Sequence, residues 1–120
     1  METYDITADQ VLALIEWPET YRELTEALHA ARRNLVYALV DRMRRGETTE
    51  ENDASFKQAR VALRSYYNPD DMIVQIRTLR GRSRSFERGK GDIGKEMRAI
   101  QKAIRTLIGD KTFNMNDWLV

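Results

Sequence analysis

From Trp17 to Leu39 the apolar positions Trp17, Tyr21, Leu24, Leu28, Ala31, Leu35, Ala38 and Leu39 recur at intervals of three and four. That period puts side chains on one face of an α-helix. The stripe predicts a long helix from Pro18, whose fixed φ suits a first turn, to about Arg45, where Gly46 supplies a stop. Acids crowd the start of this helix and Arg42, Arg44 and Arg45 its end, the order the helix dipole prefers. Ahead of it, Thr7-Ala8-Asp9-Gln10 reads as a capping box opening a short helix on Val11, Leu12, Leu14 and Ile15. Trp17-Pro18 ends that helix, because the residue before a proline is pushed out of the α region.

The next apolar set, Phe56, Ala59, Leu63 and Tyr66, predicts a third helix starting at Thr48 or Thr49, with Thr48 and Glu51 spaced as a second capping box. Asn68-Pro69-Asp70-Asp71 breaks it and opens a fourth, with Met72, Ile73, Ile76 and Leu79 inward. Residues 81–94, rich in glycine, serine and arginine, read as a loop or frayed helix end. A fifth helix follows from about Ile93 to Ile108 on Met97, Ile100, Ile104 and Leu107, stopped by Gly109. Phe113 and Met115 alternate with polar residues, but nothing else has the period of a strand. The expected architecture is all-α: a single domain over residues 1–120, a bundle of four or five helices with a basic Gly/Ser/Arg-rich interhelical loop.

Composition narrows the classes. A chain of 120 residues with 42% apolar content holds one core and leaves no room for a doubly wound sheet beside a substrate domain. The absence of cysteine removes disulfides, thiolate nucleophiles and cysteine-type zinc sites. The longest apolar run, Leu35 to Val40, is far short of the roughly 20 residues a membrane span needs. The acidic start has no apolar signal region, so the expected location is cytoplasmic, away from any membrane.

Charge is distributed unevenly. Residues 1–30 carry seven acids against the one base Arg22, whereas residues 69–120 carry eleven bases against seven acids. The densest basic stretch runs from Arg77 to Arg98 and holds Arg77, Arg80, Arg82, Arg84, Arg88, Lys90, Lys95 and Arg98 among three acids. Intervening glycines and serines allow close approach, and Phe86 offers a ring for stacking. Such a segment suits phosphodiester backbones, since each neutralised phosphate releases condensed counterions without any base being read.

Within this stretch GKGDIGKE, residues 89–96, spells G-x-G-x-x-G and nearly a P-loop. Either motif must follow a buried strand, and the preceding Arg-Gly-Arg-Ser-Arg-Ser-Phe-Glu-Arg cannot form one. Glu96 moreover stands where a P-loop needs a magnesium-binding hydroxyl, so the motif is not read as a nucleotide site. A helix-turn-helix reading around Asn68-Pro69 fails in a similar way, because Asp70 and Asp71 would lead the recognition helix toward phosphates. Glu26 and His29 match one half of a di-iron E-x-x-H pattern, but both lie off the apolar stripe. With one histidine and no cysteine, nucleophilic catalysis has almost no imidazole to draw on. No catalytic residue, metal site or cofactor is expected.

Two features point toward partners. The run Leu35 to Val40 is apolar on every face and must be covered, either by the chain's other helices or by a second subunit against Val36, Val40 and Met43. The apolar tail at Trp118 either docks on its own core or engages another protein. The leading expectation is a non-enzymatic helical interaction protein, with oligomerisation open to it, contacting nucleic-acid backbone through residues 77–98. The alternative is a protein–protein adaptor, assembly factor or inhibitor working through the acidic N-terminal half or the apolar tail.

Overall fold

Short side-chain signals set where the first half of the chain becomes helical. Thr7, extended at φ −113°, accepts from the Gln10 amide at 3.1 Å while its own amide donates to Gln10 Oε1 at 2.9 Å, which completes the expected capping box and starts α1, Ala8–Leu14. Helix α2, Glu26–Arg45, begins later than Pro18. Its cap is Thr25, extended at φ −117°, whose hydroxyl accepts from the Leu28 amide at 3.2 Å. Gly46 closes it in the left-handed region at φ 73°, donating to Arg42 O at 2.8 Å. Helix α3, Glu50–Tyr67, starts from Thr49 rather than Thr48: the Asn52 amide donates to Thr49 Oγ1 at 3.1 Å. That register puts Asn52 at the third helical position, where its side chain turns into the core.

The computed structural model describes the backbone of residues 3–18, 25–67 and 79–119, and side chains of residues 3–18, 25–66 and 93–119. The expected stripe members Tyr21 and Leu24, the break at Pro69, the helix on Met72, Ile73 and Ile76, and Arg77 lie outside the described residues.

Helix α4, Leu79–Ile108, corrects the reading of residues 81–94 as a loop. From Leu79 on, the basic segment is helical in backbone and continuous with the helix expected from Ile93. No proline falls between Pro69 and the end of the chain. Each interior glycine costs a helix roughly 1 kcal/mol, yet extending a helix whose other half is already packed gains one hydrogen bond per residue without a new nucleus. Gly109, at φ 71°, ends α4 as its position predicts, with its amide donating to Arg105 O at 2.9 Å.

Among the described residues the four helices are accompanied by no strand. α2 lies along α3, α1 packs on both α2 and α4, and α4 also meets α3. One cluster of buried side chains joins them: Val11 from α1, Leu28, Leu35 and Leu39 from α2, Phe56 and Leu63 from α3, and Ile100 and Ile104 from α4. Fully burying such a side chain is worth about 1.5–3 kcal/mol. Val36 and Met43 are 0% exposed and Val40 2%, so of the two covers open to this apolar stretch the fold uses the chain's own helices. The three side chains are therefore not a free surface for a second subunit.

The tail docks as well. Phe113 and Met115 are buried, in a turn and in the 3₁₀-helix Met115–Trp118 capped by Asn114, rather than in a strand. Trp118 packs edge-on against Tyr4, with ring centroids 5.9 Å apart, and Tyr4 meets Phe113 in the same way at 5.8 Å. Of the two outcomes open to Trp118, its side chain takes the docked one, inside the fold. Arg42, fully buried, organises this end: Nη1 donates to Trp118 O at 2.7 Å, Nε donates to Asn52 Oδ1, and the guanidinium sits 4.2 Å from the centroid of the Phe56 ring. Burial pulls Arg42 below its ordinary pKa, with Asp53 opposing the shift and Arg60 adding to it. Asn52 completes the set by donating to Ala38 O at 2.8 Å and Asp41 Oδ2 at 3.0 Å.

Candidate nucleic-acid interface

The period of α4 separates two faces. Ile100, Ala103 and Ile104 are buried, with Ile93, Met97, Leu107 and Ile108 partly so, while Lys95, Arg98 and Lys102, spaced by three and four, are exposed on the other side. The rotation of the helix is held by a buried ion pair. Arg32 of α2 grips Glu96 with Nη2 to Oε1 at 2.6 Å and Nε to both carboxylate oxygens at 3.0 and 3.1 Å. Trp17 covers the guanidinium at 4.7 Å, and Nη2 also approaches Pro18 O at 3.4 Å. With Glu96 turned inward, its neighbours Lys95 and Arg98 must turn outward.

Sequence reasoning missed this pair and read Glu96 only as a misfit in a P-loop. A signal was present: Arg32 occupies the core register of α2 between Leu28 and Leu35, and Glu96 lies four residues before Ile100. Opposite charges at core positions of two helices are the pattern that could have found it.

The exposed cations differ in how far they are already engaged. The Arg98 guanidinium lies over Gly94, where an added Cβ would stand 3.2 Å from Nη1. Lys102 Nζ is 3.5 Å from Glu16 Oε2, with both side chains largely in solvent, where such a pair is worth little. Arg105 is half-buried and its Nε donates to Phe113 O at 2.7 Å, so it fastens the tail. Arg98, Gln101, Lys102, Arg105, Thr106, Gly109 and Lys111 line a shallow concavity of about 540 Å³, with no carboxylate among the described lining residues.

Of the residues expected to bind, Lys95 and Arg98 stand together on this face. Arg80, Arg82, Arg84, Arg88 and Lys90 belong to the described backbone of α4 but not to the described side chains. The helical register aligns positions 80, 84 and 88 with 95, 98 and 102, and leaves 82 and 90 off that line. Lys102 and Lys111, outside the expected segment, join the face through the helix period and the turn after Gly109.

Elsewhere, Glu26 and His29 are both exposed. Among the described residues there is no group of three His, Asp or Glu side chains able to hold a metal ion. A second concavity of about 620 Å³ runs between α2 and α3, floored by small side chains including Ala27, Ala30, Ala38, Ser55 and Ala62. Among the described residues no helix is long and apolar enough to cross a membrane. The chain matches no protein-family model, no curated protein and no solved structure at a significant level.

Proposed function

We propose that this protein is a non-catalytic helical module that contacts the phosphate backbone of nucleic acid through the outer face of α4. The observation that carries the reading is the row Lys95, Arg98 and Lys102, exposed opposite the apolar face, with Arg98 and Lys102 bordering a concavity whose described lining includes cations and no carboxylate. Cations in such a row act by releasing counterions, so affinity falls steeply with salt. The basic residues at positions 80, 84 and 88 extend the same register toward the start of the helix.

The test is fluorescence anisotropy of labelled oligonucleotides across a salt series, with the parent beside a triple variant Lys95→Ala, Arg98→Ala, Lys102→Ala. These side chains lie outside the core, so circular dichroism of the variant should match the parent. The parent is expected to bind at low salt, and the variant to lose affinity and to show a salt slope shallower by about 2–3, near 0.9 for each lost duplex contact. Equal binding and equal slope in both proteins would remove Lys95, Arg98 and Lys102, and with them the observation that carries the reading, from the contact.

A protein-partner reading at a surface other than the acidic N-terminal half and the apolar tail draws support from the small-residue groove between α2 and α3, which is open to solvent. Under that reading a bulky replacement in its floor, Ala30→Trp, abolishes complex formation while leaving oligonucleotide binding untouched.

A further inference from the structure

The same face points to the kind of nucleic acid, on the premise that α4 is the contact. We infer that it takes a double-helical phosphate backbone, of DNA or RNA, and reads no base.

Single-strand binders hold unstacked bases on aromatic rings. Among the described side chains none on the basic face is aromatic. Trp17 covers Arg32, Phe113 and Trp118 are buried, and the exposed ring of Tyr37 lies on α2 with its hydroxyl donating to Asp9 Oδ1 at 2.7 Å. The position of Phe86 falls in register with Ile93, Met97 and Ile100, the apolar side of the helix. A duplex keeps its bases stacked and presents only phosphates and groove edges, which asks nothing of a ring.

Base edges are read by forked guanidiniums and by uncharged polar groups, and the uncharged groups of the described face are turned to the protein itself. Gln101 Oε1 accepts from the Met115 amide at 2.9 Å, and the Thr106 hydroxyl donates to Lys102 O at 3.0 Å. Both bonds belong to the tail and the helix itself, which leaves the described face chiefly to the lysines Lys95, Lys102 and Lys111, whose compact charges suit phosphate, while Arg98, a guanidinium of the kind that forks onto guanine edges, lies over Gly94.

The helix that carries the face is also held rigidly. Lys95 and Lys102 are separated by about 10 Å along the axis at 1.5 Å per residue, on a helix whose rotation is held by Arg32 and Glu96. A fixed row of charges matches a fixed ladder of phosphates, whereas a single strand must give up conformational freedom to conform to it.

The experiment titrates the intact protein into three labelled probes of equal length: a DNA duplex, an RNA duplex and the DNA single strand. A second DNA duplex of unrelated sequence is run beside them, all from about 50 mM salt upward, where the loss of affinity is steepest. The expected result is that at least one duplex binds ten or more times tighter than the single strand, and that the two DNA sequences agree within about threefold, less than the cost of a single mismatched contact. DNA against RNA then identifies the source of the backbone. A duplex preference below tenfold overturns the inference while leaving nucleic-acid contact standing, and a preference above tenfold for one DNA sequence overturns the absence of base reading. No binding to any probe overturns both this inference and the proposed function.

Discussion

The side chains that fix this fold most tightly are charged. Arg32 and Glu96 are 5% and 0% exposed and hold each other through three hydrogen bonds, a side-chain link between α2 and α4 across 64 residues of chain. Buried pairs of this kind are costly to break and cheap to replace, because removing one partner strands the other charge away from water. Glu96→Gln and Arg32→Met are each expected to cost about 3–5 kcal/mol in urea unfolding, and Arg32→Met with Glu96→Met together much less than the sum. Additive losses in the double variant would mean that the two side chains act separately. The same pair sets where Lys95 and Arg98 point, so Glu96→Gln should also weaken oligonucleotide binding without touching the face.

At the scale of elements, the helix boundaries follow local chemistry wherever a cap is present. Thr7, Gly46 and Gly109 do what their positions foretell, and α2 moves its start from Pro18 to Thr25 because a hydroxyl that accepts from the Leu28 amide outweighs a favourable φ. The larger departure is residues 81–94, where glycine and serine suggest a loop and the backbone is helical. Gly89→Ala separates the two cases. In a helix it should raise the helical circular dichroism signal and add about 0.5–1 kcal/mol of stability. Loss of stability, as expected for a glycine needed in a turn, would count against a continuous α4.

On the scale of the molecule, the uneven charge of the sequence is partly paired within the fold: Glu16 of the acidic segment reaches Lys102 of the basic one. Glu16 competes weakly with any phosphate for Lys102, since an exposed pair is worth under about 1 kcal/mol. Glu16→Gln should therefore tighten oligonucleotide binding by no more than about fivefold, and more so at low salt. Weaker binding by this variant would place the ligand elsewhere. The ends of the described chain meet over the C-terminal end of α2, where Arg42 holds Trp118 O and the Tyr4 amide donates to Met43 O at 3.0 Å. A tail anchored in this way has its Trp118 side chain within the core.

The helical class, the caps at Thr7, Gly46 and Gly109, and the inward faces of α2, α3 and the second half of α4 were determined by the sequence alone. Each depends on residues within one or two turns of one another, and local spacing carries that information. The uneven charge was legible in the same way, down to the stretch that holds Lys95 and Arg98. Tertiary structure decided the rest: that Val36, Val40 and Met43 are covered by the chain itself, that Trp118 docks, that Arg105 serves the tail, and that Lys102 and Lys111 border one concavity with Arg98. Those outcomes turn on which faces meet across distant parts of the chain, and a one-dimensional pattern states that a face must be buried without stating what buries it.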